Sequence, residues 1–242
     1  MKKINQINLL CFPYGGGGAS LYSSWEKKLP DFISVFPIQL PGREREIGET
    51  PFTDLSIAAD YFADYIRTEF QGKDIAFFGH CFLGSVLAFE VINRLKNFGD
   101  IRIHHLFVSA AFSPSSVRDY QIDLEKDDEF ISKVEKLTGQ KNEAFAIPEL
   151  KELLLPTFKA DFKMDIEYFP NESSIDIPIT GIYATSDMFV SQKDVKQWGN
   201  HSTKDFDLFE VDGEHMYIME NQESVLNVIQ NKLNTKVVEE IE

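Results

Sequence analysis

Ile75-Ala-Phe-Phe-Gly79-His80-Cys81-Phe82-Leu83-Gly84-Ser85-Val86-Leu87-Ala88-Phe89-Glu90 decides how the rest of the chain is read. The opening apolar run is strand-like, the closing run has the spacing of a buried helix, and the residues between Gly79 and Gly84 form a tight turn. Cys81 thus stands at the start of a helix. There, unpaired backbone N–H groups and the helix dipole favour a thiolate and can hold an oxyanion. Taken alone, Cys81 reads equally well as a small buried residue, as free cysteines often are.

Working outward, short apolar runs alternate with helical patterns: Ile7–Phe12, Ile33–Leu40, a helix from Leu55 to Phe70, Ile75–Phe78, a helix over Ser85–Leu95, and Ile103–Ser109. This βαβ rhythm predicts an α/β fold with a mostly parallel central sheet flanked by helices. Phe62, Ile66 and Phe70 fall four apart on one helix face, with Thr53 or Asp54 placed to cap its start and Gly72 beyond its end. The next helix is expected to stop in the same way at Asn97-Phe98-Gly99. From Ser113 to Pro170 the rhythm breaks into charged, helix-spaced sequence, read as a helical lid inserted into a single domain spanning 1–242. Strand signals resume at Pro178–Ala184 and Phe206–Val211, a last helix is expected over Ser224–Leu233, and the acidic tail after Asn234 is expected to be mobile.

Two later segments bear on Cys81. Ala184-Thr-Ser-Asp187 and Asp212-Gly-Glu-His215 each follow a strand signal, which gives the chain order nucleophile, acid, histidine of the α/β-hydrolase fold. A loop Asp is commonly a turn former and a lone His commonly packs, but three such residues in this order at strand ends point to a Cys81–His215–Asp187 triad. Gly15-Gly-Gly-Gly18 follows the first strand and permits close backbone approach. The N–H groups of Gly15 and Phe82 are candidates for the oxyanion hole, and Tyr14, Gly16, His80 and Met216 for substrate binding. The loop lacks the Gly-Lys-Ser/Thr of a P-loop and the spacing of a dinucleotide site.

With 24 Lys+Arg against 39 Asp+Glu, the 242 residues carry a net charge of −15, which argues against nucleic acid as a partner. The hydrophobic fraction of 43%, with 21 Phe, supplies one sizeable core and excludes intrinsic disorder. No apolar run approaches the roughly 18 residues of a membrane span, and Met1-Lys-Lys-Ile-Asn-Gln6 leads into a strand rather than a signal peptide, so a cytoplasmic, membrane-free protein is expected, with a monomer as the default that no feature demands. Cys11 and Cys81, the two cysteines, have neither disulfide nor zinc spacing, and no metal site is expected.

Phe12-Pro-Tyr-Gly-Gly-Gly17, Leu40-Pro-Gly-Arg-Glu44-Arg45, the Gly-His-nucleophile turn, Pro148-Glu-Leu150, Leu155-Pro-Thr-Phe-Lys-Ala-Asp161-Phe162 and the Asp187 and His215 segments form a set. Together, over about residues 8–233, they resemble the type II thioesterases of nonribosomal peptide and polyketide synthesis. The resemblance implies an editing hydrolase that removes acyl groups from the phosphopantetheine arms of carrier proteins. It also implies a mobile lid over the acyl site, and no cofactor beyond the arm carried by the partner.

The sequence departs from that family where Cys81 replaces its serine. Leu83 occupies the place of the glycine two past the nucleophile and Gly84 follows, which reads as one extra residue and predicts a wider elbow. Ser85 is the alternative nucleophile, a turn into the helix and expected to point away from His215. A cysteine also changes the energetics: thioester-to-thioester exchange is nearly isoenergetic, so the acyl group can pass to water or to a second carrier thiol. Editing hydrolase is therefore the leading reading, carrier-to-carrier acyltransferase the alternative, and a noncatalytic carrier-binding module with a lost elbow geometry the third. Because carrier proteins are usually acidic, the Arg43/Arg45 and Lys159/Lys163 pairs are docking candidates, with Arg43 or Arg45 alternatively bracing the loop. Phe130, Leu150, Leu154 and Phe158 either line an acyl chamber or pack the lid, and packing is expected for most.

Overall fold

Alternation along the strands builds two cores from one sheet. Leu10 and Phe12 of strand β1 (Ile7–Phe12) face one hydrophobic cluster while Leu9 and Cys11 face the other, as a side-chain period of two requires. The remaining strands are β2 (Ile33–Pro37), β3 (Asp74–His80), β4 (Arg102–Ser109), β5 (Ile179–Ala184) and β6 (Phe206–Val211). They stand in the order β2-β1-β3-β4-β5-β6, every neighbouring pair parallel. The sheet is from a computed structural model of the chain, which describes residues 6–239 other than Asn97, Asp119 and Gln140. The expected N-terminal reading of Met1–Asn5, the stop at Asn97 and the end of the acidic tail lie outside the described residues.

Helices cover both faces. α1 (Leu55–Glu69) buries Phe62 and Ile66 on its inner face and begins at Asp54, whose carboxylate accepts from the Ser56 and Ile57 amides as an N-cap. α2 (Cys81–Leu95) packs beside it and is buried from Phe82 through Phe89, so its surroundings are protein on nearly all sides. α7 (Gln222–Glu239) closes the other face with Val225, Ile229 and Leu233. It runs past Asn234, where a mobile tail was expected, and takes the helical backbone to Glu239.

Between β4 and β5 the chain forms α3 (Asp127–Thr138) and α4 (Pro148–Ile166), with no strand between them among the described residues. Pro148 sits at the start of α4, where a missing N–H costs nothing, and α4 also carries Pro156 in its interior. Phe130, Val134 and Leu155 form a separate small core with Phe158 and Phe162 against it. α5 (Gln192–Lys196) and the one-turn α6 (Tyr217–Glu220) flank the last two strands. No helix, among the described residues, is long and apolar enough to cross a membrane.

Candidate active site

Strand β3 passes into α2 with no residue between His80 and Cys81. Cys81 has φ +59°, a left-handed conformation that costs a non-glycine residue on the order of 1–3 kcal/mol. The turn closes that tightly because two glycines let backbones touch. A Cβ on Gly79 would lie 2.3 Å from the Gly84 carbonyl oxygen, and one on Gly84 2.7 Å from that of Phe12. The wider elbow expected from an extra residue is therefore not found: Gly84 is the close-approach glycine, and Leu83 is simply a larger side chain, buried beside Cys81. The same geometry removes the one feature that favoured a noncatalytic module. It also removes Ser85 as a nucleophile, since that side chain is fully buried and its hydroxyl donates to the Gly79 carbonyl at 2.9 Å.

His215 and Asp187 reach Cys81 from the ends of β6 and β5. His215 Nε2 lies 3.4 Å from Cys81 Sγ and Nδ1 2.8 Å from Asp187 Oδ2. Asp187 Oδ1 accepts from the Phe189 and Val190 amides at 2.8 and 2.9 Å, which fixes the carboxylate, and the His215 ring packs edge-on against Phe189. Burial favours the neutral imidazole, but the negative charge at Cys81 and the Asp187 carboxylate outweigh it and push the His215 pKa up to about 10. The arrangement can hold a thiolate–imidazolium pair.

Cys81 opens on a cavity of about 30 Å³ walled by Tyr14, Gly15, Leu83 and Met216 on one side and by Thr138, Asp161, Phe162 and Asp165 on the other. Tyr14, Gly15 and Met216, three of the candidates from the sequence, thus line the cavity beside Cys81. Phe82 turns its ring away, under the Arg118 guanidinium at 3.6 Å from the ring centroid, while its amide belongs to the first turn of α2, whose N–H groups have no partner within the helix. His80 and Gly16 do not line the cavity. His80 is fully buried behind the triad, its Nδ1 2.9 Å from Ser109 Oγ, which in turn bonds the Tyr217 hydroxyl. Burial and the neighbouring His215 hold its pKa well below the usual imidazole range. Gly16 gives its amide to Asp161 at 2.6 Å, and its φ of +79° under the Phe158 ring leaves no room for a Cβ.

Asp161, quoted in the sequence only as part of a motif, has a role that sequence reasoning missed. Arg43 donates to both its oxygens at 2.7 Å and to the Gly17 carbonyl at 2.9 Å, so α4 is latched to the glycine loop. Arg43 is therefore a brace and not a docking residue. Lys159 and Lys163 are likewise engaged, with Asp127 at 2.5 Å and Glu167 at 3.8 Å, and Arg45 is the exposed member of its pair. Phe130 is buried in the small core, as packing requires, and Leu150 is partly exposed. A larger surface groove of about 760 Å³ lined by Thr53, Glu90, Arg94 and Phe169 contains none of the triad.

The chain matches the thioesterase domain model over residues 7–233. It is 31% identical to the linear gramicidin dehydrogenase LgrE of Brevibacillus parabrevis, covering 96% of this chain and 90% of that protein. It is 29% identical to the gramicidin S biosynthesis protein GrsT of Aneurinibacillus migulanus, covering 94% and 89%. Among solved structures, RedJ, a thioesterase from the prodiginine pathway of Streptomyces coelicolor, superposes with a TM-score of 0.83 at 27% identity, covering 94% and 91%. In this chain Gly15–Gly18 lacks the spacing of a dinucleotide loop, and the Gly16 amide is taken by Asp161.

Proposed function

We propose an activity from the premise that this chain belongs to the thioesterase domain family, matched over residues 7–233. It is an editing thioesterase that removes acyl or aminoacyl groups from the phosphopantetheine arms of carrier proteins in nonribosomal peptide or polyketide synthesis. The kinship with a gramicidin S biosynthesis protein and a prodiginine-pathway thioesterase supports that setting. The observation that carries the mechanism is His215 bridging Cys81 and Asp187 at the edge of one cavity.

Cys81 Sγ, its proton held on His215, attacks the thioester carbonyl, and the N–H groups of Phe82 and Gly15 receive the oxyanion. Collapse expels the pantetheine thiolate, which takes the proton from His215. Water then attacks the acyl-cysteine, His215 takes its proton, and the free acid leaves as the Cys81 thiolate is restored. Asp187 holds the imidazole in the tautomer and orientation that both steps need. The chain uses no metal or cofactor of its own in this scheme and acts as a cytoplasmic monomer, with residues 113–170 as the lid.

One observation favours a second reading. The nucleophile is a sulfur, so the acyl-enzyme remains a thioester and a second carrier thiol can accept the group by reversal of the loading step. Intact-protein mass spectrometry of the enzyme with an acyl-loaded carrier and an empty second carrier separates the two. Free acid with the second carrier empty is the expected result; acyl mass on the second carrier makes the protein a transferase, and no acyl transfer to Cys81 sinks both. Cys81→Ala is the control.

A further inference from the structure

Two carboxylates of α4, Asp161 and Asp165, lie four residues apart and line the cavity on which Cys81 opens. They are not equivalent. Both oxygens of Asp161 are taken, one by Arg43 and the other by Arg43 together with the Gly16 amide. Asp165 Oδ1 accepts from Arg118 Nε at 3.0 Å and from the Tyr120 hydroxyl at 3.2 Å, whereas Oδ2 takes no hydrogen bond among the described residues. Arg118 pairs with the carboxylate through Nε alone: Nη1 donates to the Ser116 carbonyl, Nη2 to the Asp165 carbonyl, and its flat face lies on Phe82. The arginine orients the carboxylate and leaves one oxygen without a donor.

We propose that Asp165 makes the chamber selective for small acyl groups carrying a protonated amine, so that the preferred thioesters are aminoacyl and not plain hydrocarbon acyl. This rests on the thioesterase reading above. Asp165 keeps a side-chain exposure of 12%, and a hydrocarbon chain filling the chamber would cover its free oxygen without offering a donor, which is costly. A substrate ammonium supplies the missing donor as a charge-assisted hydrogen bond. The cavity, about 30 Å³ in this conformation, is small and suits a short aminoacyl group better than a long hydrocarbon chain. Burial, opposed by Arg118 and Tyr120, raises the Asp165 pKa to about 6, so the carboxylate is mostly ionised at neutral pH and available to a cation.

The test uses the full chain and a carrier protein loaded with isosteric pairs: alanyl against isobutyryl, and β-alanyl against butyryl, each pair exchanging an ammonium for a methyl. Acyl-enzyme formation and acid release are followed by intact mass and chromatography. The wild-type chain is expected to favour one or both aminoacyl members by about tenfold to a hundredfold in kcat/KM, the range of a hydrogen bond to a charged group. Asp165→Asn is expected to collapse that ratio toward one. Equal wild-type rates within both pairs overturn the inference, as does a ratio that survives in Asp165→Asn. No turnover of any of the four substrates removes the thioesterase reading itself. The wild-type ratio decides the matter even where the variant does not fold.

Discussion

Arg43 and Asp161, 118 residues apart in the chain, meet as a bidentate ion pair with side chains 6% and 0% exposed. Through Gly16 and Gly17 the pair fastens the loop after β1, which supplies one wall of the cavity, to the helix that supplies the other. Replacing Asp161 with Ala strands a buried guanidinium, which costs about 3–5 kcal/mol. Urea denaturation of D161A is expected to show that loss, and R43M/D161L to recover most of it.

The His215 pKa of about 10 gives a pH signature. Raised above the ordinary imidazole value of about 6.5, it keeps the ring protonated across neutral pH and releases the proton only as pH rises through about 10. The His215 ring signals in an NMR titration are expected to hold their protonated positions from pH 7 to 9. In Asp187→Asn, which takes away the carboxylate beside Nδ1, the midpoint is expected to fall. A wild-type midpoint near 6.5 contradicts the raised value.

Asp187 spends one oxygen on the Phe189 and Val190 amides and the other on His215. Asp187→Asn preserves the shape but offers the imidazole the wrong partner. A fall in kcat of about 10³–10⁴-fold is expected, with the melting curve moved far less. Loss of activity only in proportion to loss of folded protein argues for a merely structural role.

Gly84→Ala tests the elbow. Its Cβ meets the Phe12 and Pro13 carbonyl oxygens at 2.7 and 2.9 Å, both main chain and unable to swing aside. A destabilisation of at least about 2 kcal/mol is expected in chemical denaturation. Ser85→Ala, one residue on, removes a single bond to the Gly79 carbonyl and is expected to cost about 1 kcal/mol while Cys81 still acquires the acyl group.

Local pattern made the sheet and the meeting of three strand-end residues legible. β1 and β6 begin and end where the apolar runs do, and the three strand-end residues Cys81, Asp187 and His215 do converge. β2 stops at Pro37 rather than Leu40, the Ile38 amide making one last bond to the Cys11 carbonyl. α2 starts at Cys81 and not at Ser85: Gly84 reads as a turn in sequence, but its function is to admit the Phe12 backbone, a contact across the sheet. Distance in the chain hid the rest. Nothing local to Arg43 marks it as Asp161's partner, and the Asp165–Arg118–Tyr120 cluster joins loop residues and a helix by side chains alone.

The parallel sheet sends every strand the same way, so the residues that meet at Cys81 follow the carboxyl ends of β1, β3, β5 and β6. α2 carries the chain from that rim back to the opposite one, where Phe98, Gly99 and Asp100 turn into β4. A Cβ on Gly99 would find nothing within 4 Å. A dye, an affinity handle or a tether to a surface placed there leaves the reactive rim facing outward, which makes this turn the natural grip for immobilising the protein or watching it at work.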